Sequence, residues 1–287
     1  MGRTFTLLGL LAATLSAHAY ESQTSRFLAT GAVTQIEGTA GGGIVPMAVL
    51  AGYADREQHG GSAFTSRVKT DDYSLSVFGA AYNWRNRIEF SAAQQNFDLS
   101  TLSEALSLGH QELRQNIFGI KVRVTGDLLY TPQPQIAVGV LYKRQLDFNI
   151  PEAVGAEQDD DIDVYVAASK LFLGGFFGRN LLLNGVVRAS RANQGGLVGF
   201  GGDKEDTHQL LGEASAGVFL NKHWLINGEY RQMPDNLSFA EQKDWSDVFI
   251  AWFPNKQWSV TTARVDLGDI ATLEDQTGWY LSVEGSF

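Results

Sequence analysis

Residues 279–287 alternate without a break. Trp279, Leu281, Val283, Gly285 and Phe287 are apolar or small, and Tyr280, Ser282, Glu284 and Ser286 lie between them. A period of two over this length specifies a strand with one greasy and one polar face. The rhythm recurs. Phe118, Ile120, Val122 and Val124 alternate with Gly119, Lys121, Arg123 and Thr125, and Trp224, Ile226, Gly228 and Tyr230 alternate with Leu225, Asn227, Glu229 and Arg231. Strands are expected near 44–55, 73–83, 87–97, 115–125, 135–147, 161–173, 180–191, 208–220, 223–232, 245–253, 257–267 and 278–287. Most approach the roughly ten residues a tilted strand needs to cross a bilayer.

The connections carry a second pattern. Short ones at 84–86, 126–134, 174–179, 221–222 and 254–256 alternate with long ones at 56–72, 98–114, 148–160, 192–207, 233–244 and 268–277. Membrane barrels show this asymmetry between rims, and nothing in a soluble sandwich requires it. The fold expected is all-β, a transmembrane antiparallel up-and-down β-barrel of about twelve strands with short periplasmic turns and long extracellular loops. Pro132, Pro134, Pro151, Pro234 and Pro254 fall in the connections, and Pro46 falls near a strand start, where a missing N–H costs least. Aromatic residues gather near the expected strand ends, as interfacial girdles do.

Composition removes several alternatives. The chain has 287 residues, 44% hydrophobic, which is too apolar for a disordered polymer. A formal net charge of -10 argues against nucleic acid as a partner. With no cysteine there is no disulfide scaffold, thiolate metal site or cysteine nucleophile. Arg3, the apolar run from Phe5 to Leu15 and the Ala17-His18-Ala19 site read as a secretory signal peptide over 1–19, cleaved after Ala19. Residues 20–43, with Gly38, Gly41, Gly42 and Gly43, form a glycine-rich segment expected to act as a plug or a periplasmic tail, with room for an additional strand around 27–36. The barrel is assigned to 44–287. The location expected is the bacterial outer membrane.

Scattered blocks of the mature chain, Val33-Thr34-Gln35-Ile36-Glu37-Gly38, Arg191-Ala192-Asn193-Gln194, Gly199-Phe200-Gly201-Gly202-Asp203, Phe253-Pro254-Asn255-Lys256 and Gly278-Trp279-Tyr280-Leu281, resemble the bacterial family catalogued as domain of unknown function 3034. That resemblance implies an outer-membrane barrel and brings no catalytic residue with it. Trp279, Leu281, Val283 and Phe287 are also similar to the C-terminal signal read by the barrel-assembly machinery, which recognises an unpaired strand edge.

If the polar set of each strand points inward, the lumen gathers Lys121, Arg123, Lys143, Arg188, Glu229, Arg231, Asp247, Arg264, Asp266 and Glu284. A lipid-facing charge costs ~2–4 kcal/mol at the midplane, so charges at that depth belong inside. They either tune the selectivity of a polar channel or fill the interior of a narrow barrel. Arg264 and Asp266 are placed to meet Glu284 on the next strand. The function expected is a narrow channel for passive passage of a small solute. Aromatics in the lumen or loops would favour an apolar cargo, a choice the pattern leaves open. The alternative is a sealed structural or adhesion barrel whose long loops bind a partner. Expected partners are outer-membrane lipid, lipopolysaccharide, the assembly machinery and the solute.

Catalysis finds little footing. No G-x-S-x-G elbow or H-E-x-x-H occurs, and a hydrolase would need His59, His110 and His208 to converge on the outer rim. The acidic run Glu157, Asp159, Asp160, Asp161 and Asp163 reads as a solvated loop rather than a Ca²⁺ site, because Val164 stands where an EF-hand loop needs glycine. No metal and no cofactor is expected.

Overall fold

The computed structural model describes residues 27–31, 33–99, 111–270 and 273–287. The expected signal peptide and its cleavage site lie outside them. A two-residue pair, β1 (Val33–Thr34) and β2 (Ala40–Gly41), precedes twelve long strands. These are β3 (His59–Thr70), β4 (Ser74–Trp84), β5 (Ile88–Asp98), β6 (Glu112–Thr125), β7 (Gln135–Gln145), β8 (Asp160–Phe176), β9 (Arg179–Ser190), β10 (Gln209–Asn221), β11 (Trp224–Arg231), β12 (Trp245–Trp252), β13 (Trp258–Asp266) and β14 (Thr277–Ser286). Each pairs antiparallel with its sequence neighbours, and β14 pairs with β3 from Gly278↔Thr70 to Ser286↔Ser62, which closes the barrel. The terminal Phe287 extends that seam, exchanging backbone hydrogen bonds of 3.0 Å in both directions with Gly61. A closed ladder leaves no open edge, so strand amides find partners within the wall apart from irregularities at Arg123/Thr125, Phe172/Phe176 and Phe219/Asn221.

The period-two pattern sorts side chains as the pleat requires. Phe78, Phe118, Ile120, Val164, Val166, Val187, Val248, Ile250 and Leu281 stand exposed on the outside. At the rim of short turns the outward aromatics are Tyr82, Trp84, Trp224, Trp252 and Trp258, with Trp224 and Trp252 stacked at 5.8 Å. Tyr230 and Trp279 stand outward at the opposite rim. The outside is therefore an apolar belt between two aromatic bands, the surface that hydrocarbon and its interfaces select.

The first strand corrects the sequence reading. Residues 44–55, expected as a strand, form none, and the barrel begins at His59, inside what was expected to be the long connection 56–72. The connection between β3 and β4 is only 71–73. Strand β3 escaped the pattern because its outward positions hold Ala63, Thr65, Arg67 and Lys69, while the larger apolar residues Phe64 and Val68 face inward. The run 44–55 imitated a strand because it is apolar for another reason: every residue from 33 to 54 is buried, including the described part of the glycine-rich segment. Pro46, expected near a strand start, sits in this segment and not in the wall.

Among the described residues, one rim carries 85–87, 126–134, 177–178, 222–223 and 253–257 together with both ends of the described chain, and the other carries 71–73, 99, 111, 146–159, 191–208, 232–244, 267–270 and 273–276. On the second rim a short helix α1 (Asn149–Ala153) lies within 146–159, and a 3-10 turn (Asn193–Gly196) lies within 191–208.

Candidate functional site

A chain segment with no ladder to the wall can lie dry inside a barrel only if the wall's side chains satisfy its backbone. The inward side chains do this. Gln95 Nε2 donates to the Ile36 carbonyl at 2.8 Å, Asn83 Nδ2 to Ala51 at 3.0 Å, Gln135 Nε2 to Ala48 at 2.7 Å and Asn184 Nδ2 to Pro46 at 3.1 Å. The Ala48 N–H donates to Ser169 Oγ at 2.8 Å. These five partners come from five strands, β5, β4, β7, β9 and β8. The interior is a socket for residues 33–54.

Charged groups occupy the same socket. Lys121 Nζ lies 3.3 Å from Glu89 and donates to the carbonyls of Ala40 at 2.8 Å and Met47 at 3.2 Å. Glu89 accepts from the N–H groups of Ala40 at 3.1 Å and Ala51 at 2.7 Å and from the Thr39 hydroxyl. Glu284 accepts from the Thr34 N–H at 2.7 Å. Glu229 accepts from the N–H groups of Ile44 at 2.8 Å and Val45 at 3.3 Å. A Cβ on Gly42 would fall 1.7 Å from Glu229 Oε1, so a larger residue there must displace that carboxylate.

The densest contact is ionic. Glu37, carried by the segment, reaches Lys143 at 2.5 Å, Arg231 at 2.8 Å and Arg188 at 3.1 Å. Around it Asp163 pairs with Lys143 at 2.7 Å and with Arg188 at 3.2 Å, and Glu213 pairs with Arg188 and, at 3.9 Å, with Arg231. All six side chains are buried. Three wall cations face two wall acids, and Glu37 supplies the third. Buried charge is tolerated when it is balanced and hydrogen-bonded. The segment therefore completes the wall's electrostatics as well as its hydrogen bonds.

Of the residues expected in the lumen, Lys121, Lys143, Arg188, Glu229, Arg231, Asp247 and Glu284 are buried inside. Arg123 lies at the short-turn mouth, where it pairs with Asp127 at 3.0 Å. Arg264 and Asp266 are corrected, because both are exposed on the outside. Trp258 and Val260 share their parity and fix it toward lipid, while the charges fall at the far end of β13, beyond the apolar belt. There the Arg264 guanidinium lies 5.7 Å from the Trp279 ring centroid and donates to Thr277 Oγ1 at 2.6 Å, so Arg264 does not meet Glu284. Asp247 faces Glu229 across the β11–β12 ladder, and neither of its carboxylate oxygens has a hydrogen-bond partner among the described residues. Glu37, Glu89, Glu213 and the socket amides escaped the sequence list, although the parity of β5 and β10 was sufficient to place Glu89, Gln95 and Glu213 inward.

The other candidates disperse. His59 lies at the short-turn rim with Nδ1 2.6 Å from Tyr82 Oη, His208 lies at the opposite rim 3.2 Å from Asp161, and His110 falls outside the described residues. The acidic run is divided: Asp163 faces the lumen, Asp161 pairs with Arg191 at 2.5 Å, and Asp160 accepts from Tyr142 Oη at 2.6 Å. Among the described residues no group of three His, Cys, Asp or Glu is placed to hold a metal. Trp279, Leu281 and Val283 face outward on β14, and Phe287 is exposed.

The two ends of the lumen differ. On the long-loop side residues 193–198 dip inward, where the Gly195 carbonyl accepts from Lys143 Nζ at 3.1 Å and the Leu197 carbonyl accepts from Gln145 Nε2 at 3.2 Å. On the short-turn side a cavity of about 1170 Å³ remains beneath the segment.

Several solved outer-membrane barrels are similar to the chain at low identity. A protein described as KdgM porin is 9% identical, covering 79% of this chain and 99% of its own, with a TM-score of 0.48. The outer membrane protein Omp33 of Acinetobacter baumannii is 8% identical, covering 81% and 100%, at 0.48. Outer membrane phospholipase A of Escherichia coli is 8% identical, covering 84% and 93%, at 0.39. No curated protein matches the chain in sequence. The family model described as protein of unknown function DUF3034 matches residues 30–284, and the chain belongs to that family.

Proposed function

We propose that the protein resides in the bacterial outer membrane and passes a small solute through a lumen that its own N-terminal segment holds closed at rest. The apolar belt, the two aromatic bands and the unequal rims support the location, with short turns on the periplasmic side. Outer-membrane lipid around the belt, lipopolysaccharide at the long-loop rim and assembly machinery reading Trp279, Leu281, Val283 and Phe287 belong to the same reading. No catalytic role is proposed.

The observation that carries the gated passage is the nature of the obstruction. Residues 33–54 are held to the wall by side-chain hydrogen bonds and ion pairs rather than by a strand ladder, and an open cavity leads up to them from one rim. Such a segment can withdraw while the wall stays closed. In the withdrawn state Lys121, Arg123, Lys143, Arg188, Glu229, Arg231, Asp247 and Glu284 would line the path and set its selectivity.

Planar-bilayer recording tests the reading. The full mature chain is expected to stay closed for most of a recording, and a chain lacking 20–54 is expected to open in reproducible steps. A truncated chain that still shows heat-modifiable migration, and so is folded, yet stays silent would refute the passage. Silence would favour the second reading, a sealed barrel, which the inward dip of residues 193–198 supports as a second barrier.

A further inference from the structure

The cavity beneath the segment has a definite chemical character. Met47 and Val49 form part of its roof, Leu171, Leu182, Phe219 and Leu225 line its walls, and it opens among the short turns. Met47, Val49 and Leu182 pack as one apolar cluster against Leu171 and Phe219. Water held against such walls has few partners, so an apolar chain that replaces it gains from every methylene it buries. The volume of about 1170 Å³ is ample for an elongated small molecule.

The mouth is polar and carries charge of both signs. Arg56, Arg179 and Lys222 border it without a carboxylate partner among the described residues, and Arg179 donates to the Leu220 carbonyl. Arg123 and Asp127 neutralise each other there, and Asp55 and Glu57 supply the remaining acids. An apolar interior beneath cations that lack carboxylate partners matches a molecule with a long tail and an anionic head.

We infer that this vestibule binds a single-chain amphipathic anion of the fatty-acid class, its tail against Met47, Val49 and Leu182 and its carboxylate among Arg56, Arg179 and Lys222. Calling that ligand the solute rests on the passage proposed above; the site itself does not.

The test must separate the vestibule from the belt, because a fatty acid also partitions into lipid beside the barrel. The mature protein in phosphatidylcholine nanodiscs is irradiated with a diazirine-bearing palmitate analogue, and the adducts are mapped by mass spectrometry. Adducts are expected on Met47, Val49, Leu182 or Phe219, in addition to belt residues such as Phe118 and Ile120. Unlabelled dodecanoate should suppress the lumen adducts, and dodecanol should do so about tenfold less effectively. Leu225→Trp fills the cavity and should cut lumen labelling about tenfold while belt labelling persists. Leu182→Asp should do the same by making the wall polar, and heat-modifiable migration confirms that either variant is folded.

Adducts confined to the belt, lumen labelling indifferent to both substitutions, or dodecanol competing as well as dodecanoate would each overturn the inference. Uptake of the acid into proteoliposomes in excess of that into protein-free vesicles of the same lipid, which the protonated acid enters unaided, distinguishes the two proposals. Lumen adducts without uptake leave the site standing and end the passage, whereas uptake without lumen adducts does the reverse.

Discussion

Glu37→Gln is the most incisive change available, because it removes one charge without changing shape. Glu37 is the only member of its ionic cluster carried by the inserted segment, and it faces Lys143, Arg188 and Arg231 at 2.5, 3.1 and 2.8 Å. With glutamine there, three buried cations share Asp163 and Glu213, and one positive charge in the docked state is uncompensated. Breaking a buried ion pair from one side costs about 3–5 kcal/mol. The penalty falls on docking rather than on the barrel, since withdrawal of the segment lets water solvate the wall cations. At about 1.4 kcal/mol per tenfold, the docked-to-withdrawn ratio should fall by roughly 100- to 4,000-fold.

In planar bilayers this should appear as a rise in the fraction of time spent open, with unchanged step size. Glu37→Gln combined with Lys143→Met supplies the control. It leaves Arg188 and Arg231 facing Asp163 and Glu213, restores the balance, and should recover most of the closed fraction. Lys143 and Glu37 are in contact, so their effects should not add. A Glu37→Gln protein as closed as the original, or a double variant no more closed than the single, would refute the balance argument.

Steric exclusion makes a second perturbation. Gly42→Val should raise open time, though less than truncation, since a Cβ meets Glu229 Oε1 at 1.7 Å and displaces that carboxylate from the Ile44 and Val45 amides, whereas Gly185→Ala, with nothing within 4 Å of its Cβ, should leave bilayer recordings unchanged. Arg264→Gln should alter neither conductance nor ion selectivity, because Arg264 lies outside, and a change in reversal potential across a salt gradient would contradict that placement. Deleting Phe287 removes two seam hydrogen bonds of 3.0 Å with Gly61. At about 1 kcal/mol net for each, the temperature at which the folded gel band disappears should drop by a few degrees.

The architecture was legible wherever lipid had shaped the outward face. Strands β4 through β14 follow the alternation, because hydrocarbon demands apolar groups at every second position and the lumen does not. Legibility failed where that demand lapsed. Strand β3 presents Ala63, Thr65, Arg67 and Lys69 outward and so carries no apolar rhythm, and Arg264 and Asp266 took the polar parity for the inward one because they lie past the belt. The inserted segment misled in the opposite sense. Its apolar run at 44–55 is packed inside a barrel, an environment that one-dimensional periodicity cannot distinguish from a strand core. Glu37 offered no local sign of its role, since its partners come from β7, β9 and β11 and meet only when the barrel closes.

Polar residues facing a barrel interior are commonly read as the lining of an aqueous path, but the same residues are needed by any backbone stored there. The distinction lies in what they bond. Here Asn83, Gln95, Gln135 and Asn184 each spend a donor on a segment carbonyl, and Glu89, Glu229 and Glu284 each accept from segment N–H groups. Withdrawal exchanges these bonds for bonds to water, at a net cost near 1 kcal/mol for each neutral one and more for the charged ones. It also opens the apolar packing of Met47 and Val49 over the vestibule. In the proposed passage those two side chains would contact the wall in the docked state and leave it in the withdrawn one, so a molecule seated beneath them would have different contacts in the two. Only such a difference lets a ligand shift the equilibrium, in the direction of the state it contacts better. In the passage proposed above, occupancy of the vestibule and closure of the lumen would therefore both involve Met47 and Val49.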